Sequence, residues 1–426
     1  MKPTKSKWDR DDRNENENDI DSSSSSSCRG GKKARLDNYS TIESLSSSTA
    51  SATTAATLST GRNEENNESD ATNGFFTSAA EEPPLLFKSL INGCRSVDEY
   101  QRISFIDQGT YGMVFRAKCK STGVIYALKK IKLGPEAKKT GFPITALREI
   151  NILLALNHEC ILKVHEMVIG SSLSNIFMVM DFHDIDIKEC IEVSKPKLPF
   201  SIAETKQIVC QLISAIEHVH SNWYLHRDLK TSNILYSNKK GSLCVCDFGM
   251  ARKYGEPIVA YTNEVVTLWY RAPELLLGSK LYTTALDMWS VGCIFAELIL
   301  GHPLLPGEGE VDQLNKVFRM LGTPTEEMWP GVSAMAHFSK LTWRTPSVGK
   351  LREEIPDNLS SFSSSVFLND TGFDLLRRLL EMDPSKRISA SAALQHPWIS
   401  SEAPHPAAKD AMPRFYSKDA KPSGQE

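Results

Sequence analysis

Near Pro83 the chain changes character, and the break confines any packed domain to the residues that follow. Upstream stand six consecutive serines (Ser22 to Ser27), stretches of mixed Ser, Thr and Ala, and 15 acidic against 10 basic residues. The only aromatic side chains there are Trp8, Tyr39, Phe75 and Phe76. Such a segment cannot bury enough apolar surface to offset an ordering cost of roughly 1–2 kcal/mol per residue. Residues 1–84 are therefore expected to form a disordered, acidic, Ser-rich tail, and 85–99 a linker. Within the tail, Lys32, Lys33 and Arg35 could act as a nuclear-import patch or simply be a solvated charge cluster.

The rest of the chain carries the apolar content. Over 426 residues 41% are apolar and 24% charged, enough for one large or two modest domains. Lys plus Arg is 49 against 52 acidic residues, too even a balance for a protein whose main task is coating nucleic acid or an anionic membrane. Nine cysteines are scattered without paired spacing; only Cys244 and Cys246 lie close, inside an apolar run that reads as a strand. That usage suits a reducing compartment. The start, MKPTKSKWDRDD, is charged where a secretory leader is apolar, and the run Val291 to Leu300 is too short to span a bilayer. A soluble intracellular protein with no direct nucleic-acid or membrane partner is expected.

From Tyr100 two textures follow each other. Residues 100–182 give short β-branched and aromatic runs (YQRISFI, VFRAKCK, VIYALKKI), one helical stretch, and a strand pair ending at NIFMVMDF. Residues 183–399 are mainly helical: Ile208, Leu212, Ile216 and Val219 recur at helical spacing, with further patterns over 284–300, 311–321, 371–381 and 389–395. The fold class is α+β. After Trp398 the composition turns to Pro, Ala and Lys, and 400–426 is expected to be a flexible tail.

Chemistry-bearing residues fall at intervals along this frame. Gly109 and Gly112 flank Thr110 and Tyr111 between two strands, where glycines let a hairpin fold over phosphates. Lys129 lies seventeen residues past Gly112 on an alternating strand, and Glu149 on the helix opened by Pro143 could hold its ammonium in place. In YLHRDLKTSNIL, a carboxylate (Asp228), a lysine two residues on (Lys230) and an amide five residues on (Asn233) can converge from one loop. They suit an acceptor hydroxyl, a phosphate and a divalent cation in turn. Nineteen residues after Asp228, an apolar strand delivers Asp247-Phe248-Gly249, a hard oxygen ligand on a turn.

The order and spacing of HRDLKTSN, DFG, Ala272-Pro273-Glu274 and the strand lysine resemble a eukaryotic protein kinase over residues 100–399. The resemblance implies two lobes, 100–182 with a small antiparallel sheet and one main helix, and 183–399, larger and mainly helical. PITALRE (Pro143 to Glu149) departs only at Ala146 from the helix of the PITSLRE subfamily of cyclin-dependent kinases, and AYTNEVVTLWYRAPELLLG and DMWSVGCIFAEL agree. The implied activity is transfer of the ATP γ-phosphate, with Mg²⁺, to Ser or Thr followed by Pro. A cyclin, L-type by subfamily, would swing Glu149 toward Lys129. Nuclear localisation, with the cytoplasm as a further site, and a part in cell-cycle, transcription or RNA-processing control follow from the family alone. The rivals are a catalytically weak pseudokinase scaffold and a chain whose working part is the Ser-rich tail.

Residue by residue, the resemblance makes Asp228, Lys230, Lys129, Glu149 and Thr267 catalytic, and Asn233 and Asp247 metal ligands. It places the nucleotide against Ile106, Gly109, Thr110, Tyr111, Gly112, Val114, Ala127, Lys129, Leu235 and Asp186. Met180 becomes a gatekeeper, and the backbone groups of Asp181 and His183 adenine partners. Thr262 matches an activating phosphothreonine gathered by Arg148, Arg227 and Arg252, while Thr110 and Tyr111 match inhibitory phosphorylation sites. Glu264 to Thr267 resembles a proline-accepting platform, and Arg387 a buried partner of Glu274. Asp107 stands where the family has its first loop glycine, a change that costs about 1 kcal/mol of nucleotide affinity on backbone grounds.

Overall fold

The computed structural model describes Trp8 and residues 93–109, 112–131, 142–170, 175–255, 267–340, 343, 349–355, 367–400 and 412–415. A six-stranded sheet opens the domain: β1 (Arg95–Ser96), β2 (Tyr100–Gly109), β3 (Gly112–Cys119), β4 (Ile125–Ile131), β5 (Val164–Ile169) and β6 (Ile176–Asp181), in the spatial order β1-β5-β6-β4-β3-β2. All neighbours are antiparallel except β1, which runs parallel to β5. The expected linker 85–99 is thus corrected at its end: residues 95–96 are an edge strand, and Val97 just after them is fully buried. A β-branched residue between polar neighbours carries too weak a pattern to announce a two-residue strand.

Strand alternation sorts this sheet into two faces. Along β4, Ala127 and Lys129 turn to the interior shared with the helices, and Leu128 to the other side. Along β6, Met178 and Met180 face one way and Phe177 and Val179 the other. The outer face is a core of its own. It gathers Val97, Tyr100, Phe115, Ala117, Cys119, Leu128, Val168, Phe177 and Val179, and Trp8 packs among them at 5% exposure. Trp8 lies in the segment expected to have nothing to bury, so for this residue the expectation is corrected: an indole carries a large apolar area into such a core.

On the inner face lies α1 (Ile144–Ala155), with Ile150, Ile152 and Leu153 buried. The helical lobe follows a short α2 (Ile187–Ser194). Helix α3 (Ile202–Ser221) starts at Ser201, whose hydroxyl accepts from the Glu204 N–H while the Glu204 carboxylate accepts from the Ser201 N–H, a reciprocal cap. Its apolar positions Ile208, Leu212, Ile216 and Val219 are all fully buried, as the spacing predicts. After α4 (Pro273–Leu276), α5 (Ala285–Leu300) runs through the centre of the lobe, buried along nearly its whole length and stopped by Gly301 in the left-handed region. Helices α6 (Glu310–Leu321), α7 (Leu351–Glu354), α8 (Asp370–Leu379), α9 (Ala390–Leu394) and α10 (Pro397–Ser400) complete it. Among the described residues no helix is long and apolar enough to cross a membrane.

The expected C-terminal tail also has a fixed point. Phe415 packs at 5.3 Å from Phe200 and 5.5 Å from Tyr236, and its N–H donates to Asn238 Oδ1 at 2.7 Å. The Tyr236 hydroxyl donates to the Pro413 carbonyl. Two aromatic partners and paired backbone bonds offset the entropy of ordering four residues.

Candidate active site

A cavity of about 830 Å³ separates the sheet from the helical lobe. From above it is lined by Ile106, Gly112, Val114, Ala127, Lys129 and Glu149, from the back by Met180, Asp181, His183 and Asp186, and from below by Asp228, Lys230, Asn233, Leu235, Asp247 and Thr267. Residues spread over 160 positions therefore meet in one cleft. Thr110, Tyr111 and Thr262 lie outside the described residues, as do Glu264 to Val266; Gly109 closes β2 opposite Gly112.

Gly112 is required by proximity: a Cβ there would lie 2.0 Å from the Lys130 carbonyl oxygen of β4, so only glycine lets the hairpin press onto the strand. Beside it, Lys129 Nζ donates to Glu149 Oε1 at 2.7 Å, both side chains largely buried. Burial works to lower the pKa of this ammonium, but Glu149, then Asp247, more than offset it and leave it above the ordinary value. The lysine is held charged.

Below, the Asp228 carboxylate is pinned from both sides. Its Oδ1 accepts from Thr267 N at 3.2 Å and Thr267 Oγ1 at 3.1 Å; its Oδ2 accepts from Lys230 Nζ at 2.8 Å and Asn233 Nδ2 at 3.1 Å. Asn233 Nδ2 also donates to the Asp228 carbonyl at 2.8 Å, which leaves its amide oxygen as the group for a cation. Asp247 sits in the left-handed region (φ 60°), and its carboxylate accepts from Gly249 N. Phe248 behind it is fully buried against His226, ring centroids 4.7 Å apart. A hard carboxylate and an amide oxygen on adjoining turns suit Mg²⁺, which takes few protein ligands and completes its shell with phosphates and water.

Asp186 both lines the cavity and caps α2, accepting from Glu189 N at 2.8 Å; burial raises its pKa. The Asp181 N–H donates to the Lys163 carbonyl. Burial lowers the pKa of the His183 ring. Burial first, then Asp247, raises the Cys246 thiol far above the usual range, which keeps it protonated. Asp107 is exposed at the cavity mouth and takes the N–H of Gln108. Arg227 is fully buried, donating from Nε to the Met250 carbonyl at 2.9 Å and from Nη1 to the Tyr282 hydroxyl at 2.6 Å; Arg252 donates to the Ala251 carbonyl, and Arg148 is half-buried on α1.

One functional residue escaped the sequence reading. Asp287, fully buried in α5, accepts from the backbone N–H groups of His226 and Arg227 and from His220 Nε2, each at 2.9 Å. It ties the loop bearing Asp228 to the central helix. His226 continues the link: its Nδ1 accepts from Asp228 N, and its Nε2–H donates to the carbonyl of Cys246, next to Asp247. The signal was an acidic residue at the head of an apolar helix, DMWSVGCIF.

The sequence profile described as Protein kinase domain matches residues 100–399. The chain belongs to the protein kinase family. Cyclin-dependent kinase G-2 of Oryza sativa subsp. indica is 51% identical over 334 residues, 78% of this chain and 46% of that protein. Cyclin-dependent kinase 11.1 of Caenorhabditis elegans is 49% identical over 337 residues, 79% and 45% of the two chains, and cyclin-dependent kinase 11B of Homo sapiens 48% over 328 residues, 77% and 39%. The kinase described here thus spans less than half the length of these relatives. Their names agree with the PITSLRE-type cyclin-dependent kinase that residues 143–149 resemble.

Proposed function

We propose that this kinase is a cyclin-dependent protein serine/threonine kinase that moves the γ-phosphoryl group of ATP to Ser or Thr followed by Pro. The observation that carries the reading is the Asp228 carboxylate, fixed by four donors across a cleft from the closed Lys129–Glu149 pair. A carboxylate held this way accepts the hydroxyl proton as the acceptor oxygen bonds to phosphorus and the bond to the leaving diphosphate breaks. Lys230, on the same carboxylate, balances charge on the transferred group, and Lys129 serves the phosphates behind it. Mg²⁺, held by Asp247 and the Asn233 amide oxygen, would supply charge neutralisation on the phosphate oxygens. Catalysis is then positioning and electrostatics on a preformed frame. A scaffold without catalysis finds no support in a cleft that retains all these groups.

Partner and regulation belong to the same proposal. Helix α1 exposes Ile144 at 70% and Leu154 at 62%, apolar surface at both of its ends that a cyclin, L-type by subfamily, would cover to keep Glu149 on Lys129. Phosphorylation of Thr262 would draw in Arg148, Arg227 and Arg252, and phosphorylation of Thr110 or Tyr111 would oppose nucleotide binding. The nucleus, and control of transcription, RNA processing or the cell cycle, is the proposed setting.

The test is ³²P transfer by the purified chain with co-expressed cyclins to matched Ser-Pro and Ser-Ala peptides. Wild type should label Ser-Pro selectively, and Asp228→Asn and Lys129→Met should each lose about 10²-fold or more. Equal labelling by wild type and both variants with every cyclin sinks the reading.

A further inference from the structure

The outer face of the sheet is the part of the N-terminal lobe that the nucleotide reading leaves unused. Phe115, Leu128, Phe177 and Val179 all point there and all are buried, whereas helix α1 of this lobe packs its Ile150, Ile152 and Leu153 into the other, inner cluster. Trp8 is the residue from far upstream that packs on them. Its ring meets Phe115 edge to face at 5.6 Å and Phe177 at 5.3 Å, and its indole N–H donates to the Tyr100 carbonyl at 3.3 Å, across 92 positions of sequence. Apolar area and the one polar atom are both satisfied, the combination that makes Trp an anchor rather than a passing contact.

The receiving surface is itself braced. Tyr100, which offers the carbonyl, gives its hydroxyl to Glu166 of β5, and Arg95 of β1 donates to both Glu166 (Nε to Oε2, 2.9 Å) and the Tyr100 hydroxyl (3.2 Å). The short edge strand, the first long strand and β5 are thereby locked around the place where the indole hydrogen-bonds.

We propose that this face is a tryptophan-specific docking groove occupied in cis by the Trp8 segment, and that its occupancy steadies the nucleotide-binding strands from behind. The coupling follows from strand geometry. Phe115 is flanked by Val114, and Leu128 by Ala127 and Lys129, and those three neighbours line the cavity on the other face. A ring pressed on one face restrains the backbone whose alternate side chains shape the other.

The test uses the full chain, wild type and Trp8→Ala, and a fluorescein-labelled synthetic peptide of residues 1–14 with its Trp-to-Ala counterpart. The Trp8→Ala chain should take the Trp peptide at least tenfold more tightly than wild type does, since its groove is vacant, and neither chain should take the Ala peptide. Equal affinity of the two chains for the Trp peptide, including no binding by either, overturns the proposal, as does equal binding of the Ala peptide. Should Trp8→Ala not fold, 5-fluorotryptophan ¹⁹F spectra of wild type decide, with Trp8→Phe identifying the resonance. A Trp8 signal as exposed to a soluble paramagnet as free tryptophan overturns the groove, and a protected one upholds it. The steadying claim rests on the ATP reading: Trp8→Ala should bind nucleotide three- to tenfold more weakly, with the Trp peptide restoring affinity. Unchanged nucleotide affinity overturns the coupling, while no nucleotide binding by wild type overturns the functional reading and leaves the peptide result standing.

Discussion

The two lobes hold their halves of the cleft by different means. Below, the loop of Asp228 hangs from buried groups: Asp287 takes two of its backbone N–H groups, and Glu297 takes the Tyr270 hydroxyl at 2.8 Å and the Thr231 hydroxyl at 3.2 Å one residue past Lys230. Arg387 adds a two-pronged pair with Glu274 at 2.8 and 2.9 Å, buried on both sides. Above, Lys129 depends on a glutamate carried by a helix with bare apolar residues, beneath strand β2 that leaves Ile103, Phe105 and Ile106 nearly half exposed. The lower half is built in; the upper half is conditional. On the proposed reading, this arrangement fixes the Asp228 carboxylate by buried bonds and leaves the Lys129–Glu149 side to be set by whatever covers it.

The sharpest way to break that contrast is Asp287→Ala. Two buried backbone donors and His220 lose their acceptor together, so stability should fall by about 3–5 kcal/mol in urea unfolding, with phosphoryl transfer lost too. A loss below about 1 kcal/mol would mean that the loop is not hung from α5. Asp287→Asn keeps an acceptor and isolates the charge. Burial alone would raise the Asp287 pKa, but the His220 hydrogen bond and charge, with the Arg227 N–H, leave it below its ordinary value. A depressed carboxylate contributes stability that is complete above its unfolded pKa, about 4, and lost as pH falls through the folded value. The gap in urea midpoint between wild type and Asp287→Asn should therefore narrow as pH falls below about 4. A gap that widens with acid would reverse the sign.

A milder break lies one layer out. Tyr270→Phe removes one hydroxyl from a buried carboxylate whose pKa burial already raises, and leaves Thr231 as its donor among the bonds described. The expected cost is about 1–3 kcal/mol, with kcat reduced more than the KM for ATP because the perturbed residue adjoins Lys230. An unchanged kcat would detach this network from the catalytic loop.

What the sequence disclosed follows the same division. Spacing alone located α3 and α5 and the clustering of Asp228, Lys230 and Asn233, because a loop of eight residues leaves its polar groups few other places to go. The Lys129–Glu149 pair was legible as a possibility, a strand lysine followed by a carboxylate on an amphipathic helix, and the resemblance singled it out, since nothing local says which carboxylate a strand lysine will find. Asp287 was unreadable in its role: an acid in an apolar helix announces a partner without naming it, and its partners are backbone N–H groups that no pattern of side chains encodes. Trp8 and Phe415 were hidden for another reason. Each is one of few aromatics in a stretch poor in apolar pattern, and docking onto a surface made elsewhere leaves no period to detect.

The smallest expected change in stability tests the conditional half. Leu154 is 62% exposed at the C-terminal end of α1, so Leu154→Asn gives up little burial and should move the unfolding free energy by no more than about 0.5 kcal/mol. Glu149 and Lys129 are untouched by it. If a cyclin covers that end of the helix, the substituted chain should lose most cyclin binding and, with it, cyclin-stimulated labelling of Ser-Pro peptides, while activity of the chain alone stays level with wild type. Loss of both activities together would place Leu154 in the fold of the lobe and not in an interface. Retention of both would mean that the partner reaches the pair by another surface, and the contrast between a fixed floor and a governed roof would need a different governor.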